Sequence, residues 1–252
     1  MKNIIFFIGN TVLLCTAVYT QEFSKAIEDN SFYIEEAYNQ EPGVIQHIFT
    51  NSFGSASGIS DASFTEEWPV GGQMHQASIT LPYSSSTISS GIGDILFNYR
   101  YQVTDANNLA IAPRISIIVP TGDESKGLGN GVFGIQCNLP VSRRWSNDFV
   151  SHFNGGVTVL PNGPAAATGA AQTTFFAGAS GIFLLHENFN IMLETIFSSG
   201  GGSDEFIVSP GVRYAIDIGD LQIVPGLAFP FFMSSNKADH GFFLYLSFEH
   251  PY

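Results

Sequence analysis

Between Gly91 and Arg143 the chain alternates apolar and polar residues through three long segments. In the first, Ile95, Phe97, Tyr99, Tyr101 and Val103 share one parity, and Asp94, Asn98, Arg100 and Gln102 the other. In the second, Leu109, Ile111, Pro113, Ile115, Ile117 and Val119 oppose Ala112, Arg114 and Ser116. In the third, Phe133, Ile135, Cys137, Leu139 and Val141 oppose Asn130, Gln136, Asn138 and Ser142. A period of two sends successive side chains to opposite faces of a β-strand. These segments run to roughly 12–15 residues, well past the usual five or six of soluble proteins. One face is apolar and aromatic and the other polar with charge, which predicts lipid on one side and a watery lumen on the other.

The same pattern recurs along the chain. It predicts strands at 44–53, 61–69, 73–84, 91–104, 108–120, 130–143, 148–160, 173–186, 189–199, 205–217, 221–233 and 240–249. Turn-like connections (TDANN, RRWSN, HEN, DIGD) alternate with longer ones (YSSSTISSG, PTGDESKGLGN, PNGPAAATGAAQ, SSGGGSD). An even count of about twelve strands with short and long connections in alternation predicts an all-β, antiparallel, up-and-down transmembrane barrel. On this reading 143–147 and 217–220 are periplasmic turns, and the PTGDESKGLGN and PNGPAAATGAAQ loops are external. Aromatics near strand ends (Tyr99, Tyr101, Trp145, Phe149, Phe189, Tyr214) fit interfacial girdles. The last strand, HGFFLYLSF, is apolar and aromatic, and EHPY follows it.

Residues 1–20 read as a secretory signal peptide: one Lys, an apolar run, then small residues. After it no stretch of 18 apolar residues occurs, so a membrane-spanning mature chain must cross as a closed barrel. The expected layout is a signal peptide at 1–20, a periplasmic N-terminal arm at 21–43 and a barrel at 44–252. The arm carries Glu35, Glu36, Gln40 and Glu41 and reads as solvated; the alternative is an arm folded into the lumen, narrowing it. Only about twenty residues precede the first strand, too few for the plug domain of a large energy-coupled barrel.

Composition agrees with a barrel: charged residues make up 12% of the chain and aromatics 13%. The net charge of −13 argues against a nucleic-acid partner, because little here could neutralise phosphates. Of the two cysteines, Cys15 lies in the leader and Cys137 on the lipid-facing parity, so the mature chain cannot form a disulfide within itself.

The candidate lumen lining follows from parity: Asp94, Asn98, Arg100, Arg114, Gln136, Asn138, His152, Asn154, Glu194, Arg213 and Asp217. Charges inside a narrow barrel must pair or sit in water. The lining therefore either selects solutes by charge and size or fills the lumen with a network. A closed barrel would join Arg100, Arg114 and Arg213 to Asp94, Glu194 and Asp217 across the axis. No catalytic set emerges. Ser151 and His152 are neighbours in sequence and so face opposite ways, and a lipid-modifying enzyme would need another Ser beside His152. The six His are scattered without metal-ligand spacing, and GLGNG opens no helix, so neither metal nor cofactor is expected.

Several stretches carry a resemblance: SFYIEEAYNQEPGVIQHI (31–48), EWPVGGQMHQASITLPY (67–83), GIGDILFNYRYQ (91–102), PRISIIVPTGD (113–123), GLGNGVFGIQCNLPVS (127–142) and the closing FEHPY. Together they resemble the outer-membrane barrels named for the meta-cleavage pathway of phenol degradation, a family of transporters. The resemblance covers nearly the whole mature chain and implies a channel or transporter for small organic molecules, hydrophobic or aromatic ones included. It supplies no catalytic or binding residue, and its name does not define a substrate. The expected partners are outer-membrane lipid and a small-molecule solute.

Overall fold

The computed structural model describes residues 31–106, 108–161, 171–234 and 237–252. The leader, residues 21–30 of the arm and most of the PNGPAAATGAAQ loop lie outside the described residues. Twelve antiparallel spans close into one barrel. They are β1 (Val44–Gly54), β2 (Ser60–Pro69), β3 (His75–Ser85), β4 (90–106), β5 (109–119), β6 (134–144), β7 (Phe149–Leu160), β8 (Gln172–His186), β9 (Phe189–Gly200), β10 (203–218), β11 (221–234) and β12 (Lys237–Pro251). Short irregularities interrupt β4, β5, β6, β10 and β11 without changing their order. Each span pairs with its neighbours in sequence, and β12 returns to β1, from Val44↔Pro251 to Gly54↔Gly241. At this seam His47 Nε2 stands 3.3 Å from His250 Nε2, and His47 Nδ1 3.4 Å from Glu66 of β2.

Closure explains the alternation. A barrel leaves no strand edge unpaired, so every backbone group in lipid is satisfied. The outward parity is exposed and apolar: Phe97, Ile115, Ile117, Ile135, Phe153, Phe175, Leu193, Phe197, Phe242 and Leu244. The inward parity is buried and largely polar: Asn98, Arg100, Ser116, Asn138, Ser142, His152, Asn154, Glu194, Ser209 and Arg213. At the end bearing the termini, Tyr99, Tyr101, Trp145, Phe149, Phe189 and Tyr214 gather near the strand ends. There the Arg143 guanidinium lies 4.6 Å from the Trp145 ring centroid.

The connections at 145–148 and 219–220 fall at the terminus-bearing end, and 120–133 at the opposite end. One expected long connection is instead tight. β9 and β10 run to Gly200 and from Ser203, leaving Gly201 and Gly202 as a two-residue turn. Their φ values of 62° and 87° fit a hairpin whose two central residues are both left-handed, which glycine adopts without a Cβ clash.

The arm follows the alternative path, into the lumen, and not the solvated one. Over 31–40 it is not solvated, because the chain before β1 turns into the barrel. Ile34 and Ala37 are buried, and so are Ser31, Glu36, Asn39 and Gln40. This segment has little regular structure of its own, so its backbone amides must find partners on the barrel wall.

Candidate functional site

The wall supplies those partners in order along the arm. Near the terminus-bearing end, Gln40 N–H donates to Gln76 Oε1 at 2.7 Å, and Gln40 Nε2 donates to Gln46 Oε1 at 2.7 Å. Asn39 N–H donates to Gln102 Oε1 and its amide group to the Gln73 carbonyl. Higher up, Ala37 N–H donates to Ser142 Oγ and Glu35 N–H to Asn154 Oδ1. The amides of Phe32, Tyr33 and Ile34 all converge on one oxygen, Glu194 Oε1, at 3.1, 2.9 and 3.0 Å. A carboxylate accepting three backbone donors is a strong, geometrically demanding anchor. The Ser31 hydroxyl then reaches Ser180 at 2.6 Å.

Charge adds a second set of links. Arg114 grips Glu35 at two points, Nε to Oε2 at 2.9 Å and Nη2 to Oε1 at 2.6 Å. Arg100 meets Glu36 Oε1 at 3.3 Å, and these two side chains are only 4% and 5% exposed. Arg100 also donates to Asn39 Oδ1 and to the carbonyls of Glu36 and Tyr38. Arg100 and Arg114 are direct register partners on β4 and β5. Two like charges side by side on one face repel unless anions lie between or beside them, and the arm glutamates are those anions.

Shape supplies the third link. The Phe32 ring lies 5.2 Å from Phe243 and 5.6 Å from Tyr245, and Tyr33 lies 4.8 Å from Phe243, all between ring centroids. Ala215, Val224 and Ala228 complete this apolar seat. Gly211 and Gly226 make room for the ring: a Cβ on Gly226 would stand 2.6 Å from it, and one on Gly211 would also collide with it.

The arm thus occupies the terminus-bearing half of the lumen. Beyond it lies a cavity of about 470 Å³, bounded by Phe32 to Glu36 on one side. Its opposite wall is a field of hydroxyls and amides on β1 to β4, where Thr50 meets Ser63 at 2.6 Å and Thr65 meets Thr80 at 3.0 Å. Ser52 and Asp61 also border a second space of about 280 Å³ at the far mouth, with Glu205, Lys237 and Asp239 around it. There Asp239 holds the 55–59 connection by accepting from the amides of Ala56 and Ser57.

The residues expected to line the lumen sort into three groups. Asn98, Arg100, Arg114, Gln136, Asn138, His152, Asn154, Glu194 and Arg213 face inward, and several of them touch the arm. Asp94 is inward but serves the long 120–133 connection, accepting from Gly122 N–H and from both the backbone and side chain of Asn130. Asp217 is exposed at the terminus-bearing rim, where it accepts from Gln222 at 2.9 Å. The cross-axis network expected of a closed barrel is not the one that forms around Arg100 and Arg114. Their carboxylates come from the arm, and Arg213 lies close enough to Glu194 to attract it.

A Ser does stand beside His152: Ser142 Oγ is 2.7 Å from its Nδ1. Both residues are fully buried in the lumen wall, and Ser142 Oγ already takes the Ala37 amide. The pair faces the lumen and not the outer surface of the barrel, and it forms part of the arm's seat. Among the described residues no three His, Cys, Asp or Glu side chains gather as a metal site.

The geometry invites comparison with known barrels. No family model matches the sequence, and no curated protein does. Solved structures do. The NanC porin is similar at 8% identity and TM-score 0.59, covering 80% of this chain and 98% of its own. The COG4313 outer membrane channel from Pseudomonas putida F1 is similar at 13% identity and TM-score 0.58, covering 89% of this chain and 99% of its own. The KdgM porin is similar at 9% identity and TM-score 0.56, covering 83% and 99%. The fold is that of outer-membrane channels. At these identities the likeness shows the architecture alone.

Sequence reasoning reached Glu35 and Glu36 only through the alternative of an arm folded into the lumen, and it missed Phe32, Tyr33 and Ile34, because all five precede the first strand and follow no period. A signal for them existed. Arg100 and Arg114 face inward on adjacent spans, and the acid-rich FYIEEAYNQE lies a few residues before β1.

Proposed function

We propose that this protein is a channel of the bacterial outer membrane, passing small molecules by diffusion, with its own N-terminal arm as the constriction. The observation that carries the reading is the lumen cavity of about 470 Å³, which shares Ser52 and Asp61 with the space at the far mouth. The termini face the periplasm and the 120–133 connection faces outward, as is usual for barrels of this kind. Phe32, Phe243 and Tyr245 give the cavity an apolar side, which suits the hydrophobic or aromatic solutes implied by the resemblance to the meta-cleavage family. The second reading is a closed structural barrel. What favours it is the arm's filling of the periplasmic half through Ala37, Asn39 and Gln40. No catalysis is proposed.

Single-channel recording of the refolded mature chain in a planar bilayer tests the reading. The expected result is discrete openings of small conductance, rising when residues 31–40 are deleted. Silence from both proteins, with barrel circular dichroism and heat-modifiable migration intact, would favour the structural barrel.

A further inference from the structure

We propose that Glu35 and Glu36 occupy a solute site, and that the solute class is small organic carboxylates. The inference rests on the channel reading above. In the pairs Arg114–Glu35 and Arg100–Glu36 the guanidinium belongs to the barrel wall and the carboxylate to the arm. The wall alone therefore presents two adjacent forks on β4 and β5, at directly paired positions, facing the lumen. Planar guanidinium donors match a carboxylate at two points, and Arg114 holds Glu35 in that way.

The setting suits exchange of one carboxylate for another. The Glu35 side chain is 34% exposed and, like Arg114, borders the 470 Å³ cavity, so a solute arriving from the far mouth meets this pair from the open side. Asn98 Oδ1 and Gln136 Oε1 also accept from Arg114, at 2.9 and 2.7 Å, so the fork stays aimed when its carboxylate changes. Beside it the hydroxyls of Ser78 and Thr80, which accept from the Asn98 amide, border the cavity and offer neutral groups for the rest of a polar solute. Two consecutive glutamates on the arm mimic a solute with one or two carboxylates.

With the arm in place, the charged side chains around the cavity are Glu35, Glu36, Asp61 and Glu67 against Arg100 and Arg114. Four carboxylates against two guanidiniums leave an excess of two negative charges, which favours inorganic cations, so a carboxylate is held only where it takes the place of Glu35 on Arg114. Removing the arm's two carboxylates leaves two against two. The arm therefore sets selectivity as well as bore, and a carboxylate solute passes by taking over the contacts of Glu35.

The test records currents from the full mature chain, from E35Q/E36Q and from E35Q/E36Q/R100Q/R114Q. Each is measured in a potassium chloride gradient, with succinate or its neutral analogue succinamide then added. Circular dichroism and heat-modifiable migration check that each barrel is folded. E35Q/E36Q should shift toward anions, with a roughly threefold fall in the cation-to-anion permeability ratio. Succinate, but not succinamide, should interrupt its current, and the arginine replacements should abolish that effect. A conducting E35Q/E36Q with unchanged selectivity and no response to succinate overturns the inference and leaves the channel reading intact. If all three proteins are silent, and so is a chain lacking residues 31–40, the channel reading falls and takes the inference with it.

Discussion

Two sides of the lumen hold the same arm by different physics. The wall of β4 to β7 presents Arg100, Arg114, Ser142 and Asn154 and binds through charge and hydrogen bonds. The wall of β10 to β12 presents Gly211, Gly226, Phe243 and Tyr245 and binds through shape. Between them Glu194 on β9 gathers three arm amides on one oxygen. Polar contacts can be exchanged for a solute or water at small net cost, because each partner has an alternative. An apolar ring in a fitted seat has no such alternative in water. The β10–β12 side should therefore anchor the arm, and the β4–β7 side should yield first, beginning at the partly exposed Arg114–Glu35 pair.

Four substitutions test that division, beginning with the largest expected effect. Glu194→Leu leaves the amides of Phe32, Tyr33 and Ile34 without their acceptor, at about 3–5 kcal/mol against arm docking. Hydrogen exchange at those amides should approach that of free chain while the barrel strands stay protected. Persistent protection would mean the two walls suffice without β9. Phe32→Ala empties the apolar seat and should cost about 3 kcal/mol. Its readout is protease cleavage within 31–40, slow in the parent and fast in the variant; unchanged cleavage would break the assignment of anchoring to this wall. Arg114→Gln removes one fork from a partly exposed pair, and about 1 kcal/mol is expected once solvent screening is allowed for. Cleavage should then rise only modestly, and a loss as large as that of Phe32→Ala would reverse the comparison. Ser180→Ala deletes the bond to Ser31 and should cost about 0.5–1 kcal/mol, visible only as faster exchange at the start of the described arm.

The barrel itself was legible from sequence because lipid and water impose opposite demands on alternate residues. Ile115, Ile117, Cys137 and Phe153 could not face the lumen while Arg114, Ser116, Asn138 and Asn154 faced lipid. Strand positions followed from that parity to within a few residues. Connection lengths were less secure, since three glycines at 200–202 read as a loop until the hairpin register made two of them a turn. The roles of Asp94 and Asp217 were hidden for a related reason. Parity gives the face of a strand but not the height along it, and both sit toward an end of the barrel.

What the sequence determined by itself is every choice made by a repeating local rule: strand, face, approximate number of spans, and antiparallel closure. Tertiary structure alone decided where residues 31–40 go and which carboxylates meet Arg100 and Arg114. Those contacts join positions more than sixty residues apart, between a segment without periodicity and strands whose inward side chains accept any partner of the right charge and size. No local pattern encodes such a match. It exists only when the closed barrel offers a lumen wide enough for one extended chain and lined with donors, acceptors and a seat for Phe32.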